Sequence, residues 1–98
     1  MTERELTRLI LDYLKWVPNS SFKKVLGGLG MRGILDIIGC WEGRYIELEI
    51  KTEKGRLSHE QRARIEEIRA AGGMAEVVRS LEEVHRIFGQ EGRIEIRF

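Results

Sequence analysis

Asp36 stands in the middle of an otherwise apolar run, Ile34-Leu35-Asp36-Ile37-Ile38-Gly39-Cys40-Trp41. A run of that length and hydrophobicity reads as a buried strand. A carboxylate inside it is costly unless something compensates the charge, and a bound divalent cation or a lysine would do so. Glu42-Gly43 then gives a tight turn, and a second strand runs from Arg44 to about Lys51, so the two read as a hairpin. Along the second strand the side chains alternate. Ile46, Leu48 and Ile50 point one way, and Glu47, Glu49 and Lys51 the other. If Asp36 faces that second side, two carboxylates and an ammonium converge on one spot. Glu47 reads as a solvated acid beside them.

The rest of the chain supplies elements to pack around this hairpin. Residues 3–16 form an amphipathic helix, with Leu6, Leu9, Ile10, Tyr13 and Leu14 on one face. Thr2 and Glu5 make its capping box, and Pro18-Asn19 ends it. Residues 21–26 suit a short strand, followed by a glycine-rich loop with Gly27, Gly28, Gly30 and Gly33. A helix runs from about His59 to Ala71, with Ser58 as N-cap and Gln61 at the capping-box position, and Gly72-Gly73 stops it. Met74 to Val78 is another strand, residues 80–88 a short helix, and the alternating tail from Arg93 to Phe98 an added edge strand. The order is α-β-β-β-α-β plus a terminal helix and strand, an α/β sandwich with a mixed sheet. The 98 residues suit one compact domain, 1–98.

Composition excludes several classes. Apolar residues at 42% and charged residues at 34% are the balance of a soluble globular protein, not a disordered one. No apolar run approaches the ~20 residues needed to span a membrane. The charged start, Met1-Thr2-Glu3-Arg4-Glu5, does not suit a signal peptide. One cysteine, Cys40, permits no internal disulfide, which fits a reducing cytoplasm. The formal net charge of +1 does not announce a nucleic-acid partner, so the placement of the charges matters more than their sum.

Hard oxygen ligands such as Asp36 and Glu49 suit Mg²⁺, which usually takes one or two carboxylates and keeps waters and substrate phosphate. Such a metal polarises a phosphodiester and lowers the pKa of an attacking water, and Lys51 would orient that water or stabilise transition-state charge. On spacing alone, a structural salt bridge of Lys51 with either acid is an equal reading.

The wider string separates the two. Gly33-Ile34-Leu35-Asp36-Ile37-Ile38-Gly39 is followed by Ile46-Glu47-Leu48-Glu49-Ile50-Lys51-Thr52-Glu53-Lys54-Gly55-Arg56-Leu57-Ser58, then Gln61, then Ala70-Ala71-Gly72-Gly73. With its spacing, this string resembles the VRR-NUC family, a branch of the PD-(D/E)xK nucleases that includes stand-alone phage and bacterial domains. The resemblance runs from about residue 3 to residue 84. It implies a restriction-endonuclease-like αβββαβ core, with a central mixed sheet flanked by helices. It implies Asp36, Glu49 and Ile50 as metal ligands for Mg²⁺ or Mn²⁺, Lys51 as the catalytic lysine and Gln61 as the motif glutamine of the following helix. The family often has proline before the first acid; here it is Leu35, and since proline ligates nothing the departure weighs little.

Nucleases of this class often carry one more acid on the first helix. Glu3 and Glu5 are the candidates; Glu3 falls within the apolar stripe while Glu5 has a capping task, so Glu3 is the choice. Gln61 has its capping role to fill as well, and the two roles are compatible. Arg32 in the glycine loop, Lys54 and Arg56 after the E-x-K strand, and Arg62 with Arg64 on the helix cluster near the expected site. So do Lys23 and Lys24 before the glycines. The cluster fits phosphate contacts, for which Arg32, Lys54, Arg56 and Arg62 are the choice.

The expected activity is therefore a metal-dependent DNA endonuclease working in the cytoplasm of a bacterial or phage-infected cell. A two-fold homodimer would place two sites on a four-way junction, so Holliday-junction resolution, a DNA-repair task, is the specific expectation, with the tail Ile94-Glu95-Ile96-Arg97-Phe98 as candidate interface. Flap or nicking activity, and a non-catalytic DNA-binding module, are the alternatives. Gly28-Leu29-Gly30-Met31-Arg32-Gly33 matches G-x-G-x-x-G, but a strand rather than a helix is expected after it, which argues against a dinucleotide site. Cys40 reads as a small buried residue. Trp16 and Trp41 read as core or interface residues, and His59 and His85 lack metal-ligand spacing.

Overall fold

The structure, a computed structural model, describes residues 1–27 and 33–89. Arg32 and the expected tail strand with its interface lie outside them. The elements follow the expected order. They are α1 (Glu3–Leu14), β1 (Ser20–Lys24), β2 (Ile37–Trp41), β3 (Arg44–Ile50), α2 (His59–Ala70), β4 (Met74–Val78) and α3 (Leu81–Ile87). One four-stranded sheet runs in the order β1-β2-β3-β4, with β1, β2 and β3 antiparallel and β3 and β4 parallel. This is the mixed-sheet α/β fold that the element order predicts.

The β2–β3 hairpin closes through Glu42 at φ 52° and Gly43 at φ 81°. Both central residues are left-handed, as a two-residue turn matched to strand twist requires. Gly39 serves a different purpose. A Cβ there would collide with the Ser21 carbonyl oxygen and the Phe22 ring, so its absence lets β1 lie against β2.

The two faces of the sheet are covered differently. Leu6, Ile10 and Leu14 of α1 and Val84 of α3 pack with Ile37, Ile46, Leu48, Ile50 and Val78 into the larger core. Phe88 is completely buried there and meets Phe22 and Trp41 edge to face. On the opposite face Ile65 and Ile68 of α2 join Leu35 and Ala75 in a smaller cluster. The β3 alternation is therefore as read, but its second face is roofed by α2 rather than open to water.

Several expectations are corrected. β2 starts at Ile37, not Ile34, because the Asp36 side chain and not the Asp36 backbone reaches toward β3 (below). Cys40 is exposed, since it points away from the larger core on a strand whose other face no described helix contacts. Of the two tryptophans read as core or interface residues, Trp41 joins the core, and Trp16, 84% exposed, is left with the interface reading. Leu9 is also exposed, at the rim of the α1 stripe. Among the described residues no helix is long and apolar enough to cross a membrane.

Candidate active site

Asp36 precedes β2 and is held from both sides. Its carbonyl oxygen accepts from the Val25 amide at 2.8 Å, continuing the β1 pairing by one residue. Its carboxylate Oδ2 accepts from the Ile50 amide at 2.8 Å. The β2–β3 register pairs Ile37 with Leu48. One step further sets Asp36 opposite Glu49, so the hairpin itself delivers the two acids to one place.

Glu49 is 3% exposed, yet it is a carboxylate on a central strand. Gln61 Nε2 donates to its Oε2 at 2.9 Å, and Lys51 Nζ lies 3.5 Å from the same oxygen. Burial, followed by the negative charge of Asp36, pushes the Glu49 carboxyl up to about 7, although Lys51 opposes the shift. Two facing, partly desolvated acids, with an ammonium paired to Glu49 alone, form an environment that a divalent cation would relieve, so the donor set fits Mg²⁺ or Mn²⁺. Among the described residues no group of three or more His, Cys, Asp or Glu side chains comes together, which is compatible with a metal that takes one or two carboxylates. The Ile50 side chain is fully buried in the larger core, so any ligand from Ile50 is its backbone carbonyl.

A stability effect follows from the raised Glu49 pKa. Its folded value lies above the ordinary 4.5, so the stability it contributes is full below that value and is lost as pH rises through about 7. The stability difference between metal-free wild type and Glu49→Gln, followed by urea unfolding, is expected to shift against wild type between about pH 5 and about pH 8. A cation held by the pair would take the place of the proton, so saturating Mn²⁺ would then suppress that shift. A difference that stays flat with pH would show that Glu49 ionises normally.

Gln61 fills two roles at once. Its Oε1 accepts from the Ser58 amide at 2.9 Å while the Ser58 hydroxyl accepts from the Gln61 amide at 3.1 Å, completing the capping box that starts α2. Its Nε2 is left to hold Glu49.

Glu47 is not solvated. It is fully buried under α2, where Arg64 clamps it, Nη2 to Oε2 at 2.5 Å and Nε to Oε1 at 3.2 Å. The Leu35 amide donates to Oε1 at 3.0 Å, and the Tyr45 hydroxyl donates to Oε2. Burial alone would raise the Glu47 pKa, but the Arg64, Leu35 and Tyr45 hydrogen bonds outweigh it and hold the carboxyl below its usual range. Arg64 is thereby turned inward, away from the phosphate-contact cluster in which the sequence places it. Because Leu35 directly precedes Asp36, the Glu47–Leu35 bond and the Asp36–Ile50 bond together pin this approach segment to β3.

Arg79, just past β4, is a residue the sequence reading missed. Its Nη1 donates to the carbonyls of Thr52 and Gly55, each at 2.7 Å, and so organises the loop that carries Lys54 and Arg56. Lys54, Arg56 and Arg62 are all exposed. Glu3 is exposed in the first turn of α1, and the hydrogen bonds and ion pairs of Asp36, Glu49 and Lys51 do not reach it. Glu5 caps α1 through the Thr2 amide at 2.8 Å, as expected.

No family model matches the sequence, and no curated protein matches it. Solved structures match the fold. A VRR_NUC domain superposes with a TM-score of 0.74 at 20% identity, over 91% of this chain and 96% of that one. A VRR_NUC domain protein gives 0.73 at 18% identity, over 92% of this chain and 87% of its own. Hjc from Archaeoglobus fulgidus, a Holliday junction resolvase from an archaeal hyperthermophile, gives 0.59 at 23% identity, over 79% of this chain and 67% of that one. The fold implied by the string of residues around Asp36, Glu49 and Lys51 is thus the fold of VRR_NUC domains and of a resolvase.

Proposed function

We propose that this chain is a divalent-metal-dependent DNA endonuclease. The observation that carries the reading is the opposition of Asp36 to Glu49-Ile50-Lys51 across one hairpin, which crowds two carboxylates and an ammonium at the end of β3. A shared fold alone assigns no chemistry; the acid–acid–lysine set on that fold supports phosphodiester hydrolysis.

Asp36, Glu49 and the Ile50 carbonyl would hold Mg²⁺ or Mn²⁺. When bound, the metal supplies Lewis-acid polarisation of the phosphodiester and a more acidic water. Lys51 offers its ammonium at the same spot, to orient the attacking water or to stabilise charge growing on the phosphoryl oxygens. Gln61 keeps Glu49 Oε2 in place, and Glu47 with Arg64 keeps Leu35, and so Asp36, in register. Arg32, Lys54, Arg56 and Arg62 are proposed to contact phosphates and position the backbone without reading sequence. Glu3 is proposed as an accessory acid of the first helix.

The substrate we favour is branched DNA, with a homodimer resolving a four-way junction; one of the chain's structural neighbours is a Holliday junction resolvase. A two-fold dimer would match the symmetry of a junction.

The test is cleavage of a labelled four-way junction, beside matched duplex and flap, with and without Mg²⁺. Wild type is expected to cut the junction only with metal, and Lys51→Ala to lose about 10²–10³ in rate, the scale of removing one transition-state donor. Cutting of flap or duplex alone would retain the nuclease and remove the resolvase. No cutting with either Mg²⁺ or Mn²⁺ would leave a DNA-binding module.

A further inference from the structure

A groove of about 810 Å³ lies between α1 and β1, on the edge of the sheet and outside the acid–lysine cluster. Arg4, Arg8, Lys15, Lys23 and Lys24 line it, against a single carboxylate, Asp12. The whole chain carries a formal net charge of only +1, so cations are concentrated here and the surface elsewhere is net acidic. Of the five, only Lys15 forms an ion pair with a described residue, to Asp12 at 3.3 Å with both side chains well exposed. Such a pair contributes little and is readily exchanged.

The spacing of these charges is regular. At about 100° per residue, positions 4, 8 and 15 fall within about 40° of one another around α1. Arg4, Arg8 and Lys15 therefore form one stripe along the helix, spread over about 16 Å of its axis at 1.5 Å per residue. That is the length over which one strand of a duplex presents about five phosphates. Lys23 and Lys24 stand across the groove on the edge strand β1. Lys24 pairs with Ile37, the residue after Asp36, and the Val25 amide bonds the Asp36 carbonyl. The strand that borders the groove thus ends beside Asp36.

We infer that this groove is a second phosphate-binding track, which holds a length of DNA backbone as it approaches Asp36. The inference deepens the nuclease reading and rests on it for the identity of the polyanion. The contacts come from exposed, flexible side chains on a helix face and a strand edge, so the track is a sequence-independent electrostatic surface.

Binding of a fluorescein-labelled four-way junction would be followed by anisotropy from about 50 to about 200 mM salt, with Ca²⁺ in place of Mg²⁺ so that binding is read apart from cutting. The comparison is between wild type, the quadruple variant R4Q/R8Q/K23Q/K24Q and the charge-retaining variant R4K/R8K. The quadruple variant, missing four phosphate contacts at about 0.9 each, is expected to lose about 3.6 from the slope of log affinity against log salt, and at least about tenfold in affinity at the low-salt end. R4K/R8K should keep the wild-type slope. An unchanged slope in a quadruple variant with native circular dichroism would overturn the track. So would a change in sedimentation mass without a change in slope, since the groove would then be a contact between copies of the chain. Cleavage by wild type with an unchanged slope removes the groove alone. Absence of cleavage with the slope effect intact removes the nuclease reading and leaves the groove as a DNA-binding surface.

Discussion

Asp36→Asn is expected to lower metal-dependent cleavage by about 10²–10³-fold, the scale of losing one electrostatic element of a hydrolytic site. The substitution is nearly isosteric, and the asparagine carbonyl oxygen can still accept from the Ile50 amide, the bond that ties this segment to β3. What disappears is the charge. In the metal-free protein that charge raises the Glu49 pKa, second only to burial. Removing it lets Glu49 ionise more easily. Stability of the metal-free variant near neutral pH should therefore be equal to or greater than that of wild type, even as activity falls. The two readouts, single-turnover cleavage and urea unfolding, move in opposite directions if Asp36 is present for chemistry. They would move together if Asp36 were a structural ion-pair partner. Retention of activity within about tenfold would remove Asp36 from the site.

Arg64→Ala carries the largest expected effect on stability. Glu47 is fully buried, and the guanidinium is its only cationic partner among the ion pairs of the described residues. Deleting one member of a buried pair strands the other, which costs about 3–5 kcal/mol. The lower end of that range is expected, because the Arg64 side chain keeps 27% of its surface in water and solvent can follow it out. For a domain of this size a loss of about 3 kcal/mol is a large share of total stability. The effect has a defined pH dependence. The Glu47 pKa is lowered in the folded protein, so its contribution is present above the ordinary value of 4.5 and is lost as pH falls through the folded value. The gap between wild type and Arg64→Ala should be widest at neutral pH and narrow in acid. Urea midpoints at both pH values check this. A gap below about 1 kcal/mol at neutral pH would show that Glu47 is hydrated after all.

The parts of this molecule legible in its sequence are those governed by local rules. Both capping boxes follow from Thr2/Glu5 and Ser58/Gln61, and the hairpin turn follows from Glu42-Gly43. The convergence of Asp36, Glu49 and Lys51 was readable because period-two alternation and a two-residue turn jointly determine the register. What escaped depends on layers. Alternation says that Glu47 and Glu49 share a face; it does not say whether a helix covers that face. Arg64 held the missing signal. It lies three residues after Gln61 and four before Ile68, on the inward stripe of α2, where a long cation needs a buried acid to meet. Cys40 was misjudged by residue type alone, since its exposure is decided by which strand face it occupies. Arg79 acts through backbone carbonyls 24 and 27 residues away, and no local pattern announces such a bond.

The shared duty of Gln61 explains why that position would not accept the residue most similar to it. A helix start of this type takes glutamate or glutamine at its third residue, and for capping alone the two are interchangeable. Here the oxygen of the amide is engaged by Ser58, so the nitrogen end is the one that meets Glu49. Glutamate would keep the cap and turn an acceptor toward an acceptor, adding a third negative charge beside two that already repel. The first turn of α2 thus works as a polarity filter: helix formation tolerates either side chain, and only the one with a donor at its far end lets the neighbouring carboxylate keep its place.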